Sequence, residues 1–185
     1  MNKKDARREA EKRRSLLAGE YMSEASAKIY ARLRQESAWT DAGYVFIYYG
    51  VGYEVRTEEM IRDALQAGKR VFLPKVISKN QMVFIEVLSP EDTEYGAFGI
   101  PEPVYDEKKA ADELPDLVIV PCVAVDRKGN RAGHGRGYYD RYLKSMRQVP
   151  FICPAYDCQV FDHIETDDND IRMDIIITEK EIIRV

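Results

Sequence analysis

Cysteine, histidine, long apolar runs and excess positive charge are all scarce in this chain, and each shortage narrows what it can be. The three cysteines, Cys122, Cys153 and Cys158, are odd in number and fit no zinc spacing. They are expected to be reduced, partly buried thiols. The only histidines are His134 and His163, too few for a zinc or iron centre. A bound metal would therefore be a hard cation on carboxylate oxygens. No stretch approaches the roughly 20 apolar residues that span a bilayer. The opening MNKKDARREAEKRR has no apolar core and carries acids, unlike a secretory signal or a transit peptide. A cytoplasmic location is expected, with no membrane partner. Lys and Arg number 28 against 32 Asp and Glu, a net charge of −4. The surface as a whole does not attract nucleic acid, so any anion site must be local.

What remains is ordinary globular composition: 185 residues, 45% hydrophobic and 32% charged. There is no internal repeat, low-complexity tract or linker, so one domain over residues 1–185 is expected. Residues 3–17 read as a basic, charge-alternating helix with i,i+4 pairs such as Glu9 with Arg13. Ser23 is a candidate cap for a second helix, and Thr57 for a third that Gly68 ends. Residues 44–49, 70–76, 82–87, 117–121, 151–155 and 171–178 read as strands, with 181–185 as a last edge strand. Residues 89–115 read as long loops with a short helix near 106–112. Strands alternating with helices predict an α/β fold: a single compact domain with a largely parallel central sheet and helices on both faces.

The segment Arg131 to Asp140 reads R-A-G-H-G-R-G-Y-Y-D. Gly133, Gly135 and Gly137 permit positive φ and close approach of a ligand to the main chain. Their N–H groups, the start of the following helix, and Arg127, Lys128, Arg131 and Arg136 together suit a phosphate, with a nucleoside triphosphate as the best occupant. The spacing is neither a P-loop nor G-x-G-x-x-G, and a surface loop with water-facing bases accounts for it equally well. Asp140 at the loop's end and Asp174 within an apolar strand are two carboxylates able to hold Mg²⁺ beside phosphate oxygens. Asp174 reads equally as a polar residue at a strand end.

At these residues the sequence resembles the 5-formyltetrahydrofolate cyclo-ligase family, whose hallmark is F-D-x-x-G-x-R-L-G-x-G-x-G-Y-Y-D. V-D-R-K-G-N-R-A-G-H-G-R-G-Y-Y-D-R-Y-L carries the likeness at 125–143. K-K-D-A-R-R near the start, G-Y-E-V-R-T-E-E (52–59), V-F-L-P-K (71–75), G-I-P-E-P (99–103), A-Y-D-C-Q (155–159) and M-D-I-I-I-T-E (173–179) extend it over nearly the whole chain. Cys122, Val125 and Ala132 replace the usual glycine, phenylalanine and leucine, and Asn169-Asp170 stands where His-Asp is frequent.

The resemblance implies an ATP- and Mg²⁺-dependent enzyme that converts 5-formyltetrahydrofolate to 5,10-methenyltetrahydrofolate with release of ADP and phosphate. It implies that Arg131, Gly133, His134, Gly135, Arg136, Gly137, Tyr138 and Tyr139 wrap ATP, and that His134 to Tyr138 also approach the folate. Asp140 and Asp174 would bind Mg²⁺, and Arg136, Tyr138 and Asp140 would serve catalysis. Tyr49 and Glu54 would contact the reduced folate. Lys3 and Arg7 match the family's N-terminal ATP contacts, and Lys4 with Arg8 fits nearly as well. A monomer acting on a small molecule is expected. A nucleotide- or folate-binding protein without turnover is the alternative, and a basic-arm nucleic-acid binder a third.

Overall fold

In the computed structural model, which describes residues 1–96 and 99–185, the hydrophobic runs of the chain assemble into one mostly parallel sheet. The helices are α1 (Lys3–Arg14), α2 (Gly19–Leu33), α3 (Ser37–Thr40), α4 (Glu58–Gln66) and α5 (Tyr138–Leu143). The strands are β1 (Tyr44–Ile47), β2 (Arg70–Val76), β3 (Met82–Val87), β4 (Thr93–Tyr95), β5 (Pro101–Pro103), β6 (Leu117–Ile119), β7 (Ala124–Asp126), β8 (Arg131–Ala132), β9 (Phe151–Pro154), β10 (Val160–Phe161), β11 (Ile175–Ile177) and β12 (Ile182–Arg184). Within the described residues, the order of the main sheet is β12-β11-β9-β6-β1-β2-β3. Its five inner strands run parallel, and β12 and β3 close the edges antiparallel.

The inner strands are apolar on both faces, as a sheet covered on both sides requires. Val45, Ile47, Val71, Leu73, Leu117, Ile119 and Ile152 pack under Ile29 and Leu33 of α2, Trp39 of α3 and Met60 and Ile61 of α4. The alternate residues Phe46, Phe72, Val118 and Ile176 meet Leu143 of α5 on the other side. There Phe46 and Phe84 stack with ring centroids 4.2 Å apart. The expected fold class is the observed one.

A small sheet, β10-β7-β8, carries α1. Ala6 and Ala10, one turn apart and fully buried, sit against Ala124, Ala132 and Phe161. Asp126 organises the turn between β7 and β8. Its fully buried carboxylate accepts from the N–H groups of Lys128, Asn130 and Ile164 and from Asn130 Nδ2, all at 2.8–3.0 Å. The aspartate that opens the hallmark motif is thus a builder of the turn.

Several expectations are corrected in detail. The first helix stops at Arg14 rather than residue 17. Ser23 lies inside α2, its hydroxyl donating to the Gly19 carbonyl at 3.0 Å, so it caps nothing. Thr57 takes the N-cap position of α4 as expected, but its hydroxyl makes no capping bond: it donates to the Tyr48 carbonyl at 2.6 Å and accepts the Gly50 N–H at 2.9 Å, which ties down the β1–α4 loop. Residues 89–115 contain the β4–β5 hairpin, and the helix expected near 106–112 is a single 3₁₀ turn, Glu107–Lys109. The last parallel strand is shorter than 171–178, and the three thiols are unpaired. Among the described residues no helix is long and apolar enough to cross a membrane.

Candidate active site

Parallel strands leave their connecting loops at their carboxyl ends, and a crevice opens where neighbouring strands send their chains in opposite directions. Here β1 leads to β2 on one side, while β6, its other neighbour, leads toward β9. The segments that follow them, residues 48–54 and 121 onward, wall a cavity of about 960 Å³. The other walls come from α1, the glycine segment 133–137, the start of α5, residues 167–170, and an apolar patch of Pro74, Val76, Met82, Ile100 and Pro101.

The cavity gathers most of the residues singled out in the sequence: Lys3, Arg7, Tyr49, Glu54, Arg131, Gly133 to Tyr139, and Asp140. Helix geometry turns Lys3 and Arg7, not Lys4 and Arg8, toward the cavity. Residues 3 and 7 share the face of α1 that looks into the cavity. Lys4 is exposed, off the wall, and Arg8 turns to Asp5 at 3.0 Å. Arg7 Nε donates to the Gly133 carbonyl at 2.6 Å, which joins α1 to the glycine segment. Lys3 Nζ is held by Asp170, and by Asp167 at 3.2 Å. Burial alone would lower its pKa, but the bonds to the two carboxylates outweigh that and hold it above the ordinary lysine value.

Gly135 has φ +88° and Gly137 φ +69°, so the segment needs glycine at both positions. Helix α5 has only six residues, so the positive charge facing the cavity comes from side chains more than from a helix end. Arg131 lines the cavity but is engaged within the protein. It is buried, with one terminal nitrogen on the Pro121 carbonyl at 3.1 Å and the other on Asp140 Oδ1 at 2.9 Å. It positions Asp140. Arg136 lines the cavity from the exposed part of the segment.

Glu54 Oε2 accepts the Val51 N–H, and Oε1 lies 3.1 Å from His134 Nε2, so the β1 loop and the glycine segment meet across this pair. Of the adjacent tyrosines, Tyr139 packs between the two cores with its hydroxyl sealed from water and unpartnered. Burial, and then the Glu54 charge, push that hydroxyl's pKa well up. Tyr138 stands at the rim and donates to the Ser78 and Lys79 carbonyls at 3.2 and 3.0 Å.

Asp174 does not join the site. It sits just before β11 at the amino ends of the strands, exposed, and its carboxylate accepts the Phe151 N–H at 2.7 Å. It terminates a strand edge and does not line the cavity with Asp140. Asp170 lines the cavity instead, and the N–H of its neighbour Ile171 points to Asp140 Oδ1 at 3.4 Å. The Asn169-Asp170 dipeptide was the signal in the sequence. Among the described residues no group of three or more His, Cys, Asp or Glu is placed to hold a metal. Two carboxylates beside an open cavity nevertheless suit Mg²⁺, which keeps several waters and takes phosphate oxygens as ligands. Arg14 and Glu102, both buried on the cavity wall, were not singled out as site residues from the sequence.

The model of the 5-formyltetrahydrofolate cyclo-ligase family matches residues 1–179. The chain belongs to the 5-formyltetrahydrofolate cyclo-ligase family. Membership makes it an enzyme of the cyclo-ligase class. A probable 5-formyltetrahydrofolate cyclo-ligase of Schizosaccharomyces pombe is 32% identical over 184 residues, covering 91% of this chain and 90% of the yeast protein. The solution structure of Aquifex aeolicus 5,10-methenyltetrahydrofolate synthetase superimposes with a TM-score of 0.86 at 34% identity, over 100% of this chain and 93% of that one. The synthetase of Mycoplasma pneumoniae gives 0.74 at 26% identity, over 97% of this chain and 99% of that one. In the cyclo-ligase hallmark, as it stands here, the first half builds a turn and the second half lines the cavity.

Proposed function

We propose that this chain converts 5-formyltetrahydrofolate to 5,10-methenyltetrahydrofolate with ATP and Mg²⁺, releasing ADP and phosphate. The observation that carries this reading is the meeting of two unlike walls in one cavity. Lys3, Arg7, Arg136 and the glycine segment form a cationic cradle, and it adjoins the Glu54 carboxylate and the apolar patch. The cradle suits a polyphosphate, and the second wall suits a flat ring with N–H donors on its edge.

An N-formyl amide has a poor leaving group at its oxygen. In the proposed reaction that oxygen attacks the γ-phosphorus, an O–P bond forms, and the bond to the β-phosphate oxygen breaks to give ADP. N10 then attacks the activated carbon and loses its proton. Phosphate departs with the former formyl oxygen, and the five-membered ring is left as the methenyl cation. The protein supplies alignment and charge neutralisation, and no nucleophilic side chain is required. Arg7 and Arg136 face the transferred group. Arg131 holds Asp140 in place for the metal. Glu54 Oε1 has lone-pair capacity beside His134 for a ring N–H. Asp140 and Asp170 would hold Mg²⁺, which when bound neutralises phosphate charge.

The test is spectroscopic. Absorbance of methenyltetrahydrofolate is expected to develop only when ATP, Mg²⁺ and 5-formyltetrahydrofolate are all present. Folded protein that binds nucleotide and gives no signal would favour binding without turnover.

A further inference from the structure

Helix α1 brings a third cation to the cavity that the reaction as described does not use. Residues 3, 7 and 14 fall within about 40° of one another around an α-helix, so Arg14 shares the face of Lys3 and Arg7. It lies seven residues, or about 10 Å, beyond Arg7 along the axis. The residue is only 4% exposed. Its Nε has no hydrogen-bond partner, and NH1 reaches the Tyr53 carbonyl only at 3.5 Å. No carboxylate among the described residues pairs with it. A buried guanidinium left this way is costly, and an acceptor arriving from the cavity would relieve the cost.

We propose that Arg14 recognises the pterin, donating to the carbonyl oxygen of its pyrimidinone ring while Glu54 accepts from the neighbouring ring N–H and amino groups. The inference rests on the folate reading above. The guanidinium touches the carbonyl of Tyr53, the residue next to Glu54, and Arg14 and Glu54 both line the cavity, so a donor and an acceptor are supplied from the same stretch of its wall. A free carboxylate from the substrate's glutamyl tail fits less well. Glu54 would repel it, and the tail must leave toward solvent, whereas Arg14 lies in the buried floor. Spacing along α1 separates the roles: Lys3 and Arg7 serve the phosphate end, and Arg14 the ring end.

The test is calorimetric binding, without ATP, of 5-formyltetrahydrofolate, of its 4-amino-4-deoxy analogue, and of an analogue lacking the glutamate. A site that donates to the ring carbonyl rejects the 4-amino compound, which presents a donor there. Wild type is expected to prefer the natural ligand by about tenfold or more. Arg14→Gln is expected to weaken the natural ligand by about tenfold and reduce the preference over the 4-amino analogue to about twofold or less, with affinity for a non-hydrolysable ATP analogue unchanged. Should Arg14→Gln fail to fold, Arg14→Lys keeps the charge without the planar fork and is expected to show a reduced preference. An undiminished preference in the folded variant overturns the assignment. So does equal loss of nucleotide and folate binding, or lost discrimination against the glutamate-free analogue instead. If wild type itself ignores 5-formyltetrahydrofolate, the folate reading fails before any variant is needed.

Discussion

Arg131 and Asp140 illustrate how a charged residue beside a cavity can serve the protein before it serves a ligand. Arg131 is buried and bonded to Asp140, so truncating it leaves Asp140 without its counter-ion and Pro121 without a donor. Arg131→Ala is expected to cost about 3 kcal/mol in urea unfolding, at the lower end for a broken buried pair because Asp140 keeps some water. Asp140→Asn retains the shape and an acceptor for Arg131. It is expected to fold with near-normal stability and to lose Mg²⁺-dependent turnover by at least about a hundredfold, read in the absorbance assay. Gly135 differs again. A Cβ there would meet the Arg7 guanidinium at 3.7 Å, an ordinary contact, so the obstacle is the backbone at φ +88°. Gly135→Ala is expected to lower stability by about 1–2 kcal/mol. Its effect on the KM for ATP should be larger, because the methyl group stands where the ligand approaches.

Helix α1 is the element on which the site depends most. Three cavity-facing cations ride on it, and what seats it is two alanines against a small sheet. Small side chains let the helix approach closely, so the seat is intolerant of volume. Ala10→Leu is expected to cost about 1–3 kcal/mol by overpacking. It should also raise the KM for ATP, because displacing the helix shifts Lys3 and Arg7 together. The amino end is secured separately. Asn2 accepts the Asp5 N–H at 2.9 Å, and Asn2→Ala is expected to remove about 1 kcal/mol of cap stabilisation with less effect on kinetics. Thermal melts paired with steady-state kinetics would separate the two.

At the scale of the whole molecule, acid stability reports on the sheet edge far from the cavity. Arg70 on β2 grips both oxygens of Glu86 on β3, at 2.9 and 3.0 Å, and lies over the rings of Tyr44 and Phe72. The bond from Arg70, against the opposing effect of burial, lowers the Glu86 pKa below 4.5. A depressed carboxylate stabilises the fold at pH above its unfolded value and loses that contribution as pH falls through the folded value. Glu86→Gln should therefore melt below wild type at pH 7, and the gap between the two should close below about pH 4.5. A gap constant from pH 7 to 3 would mean that the pair contributes packing and not charge.

By itself the sequence determined the family and most of the frame. Apolar runs were enough to place β2 and β3, and strands alternating with helices pointed to the largely parallel sheet, in which β3 is an antiparallel edge. The glycines before Tyr138 were legible because positive φ admits few other residues. Tertiary structure alone decided which polar residues share the cavity. Asp174 read as a carboxylate within an apolar strand and Asp170 only as part of the Asn169-Asp170 pair, and the chain path sends the first to a strand edge and the second to the cavity. Arg14 read as one more charge on a solvated helix, because burial comes from what packs against a residue and not from the residue. Ser23 and Thr57 read as caps for a similar reason: a hydroxyl takes the nearest partner in space, and sequence distance does not reveal it.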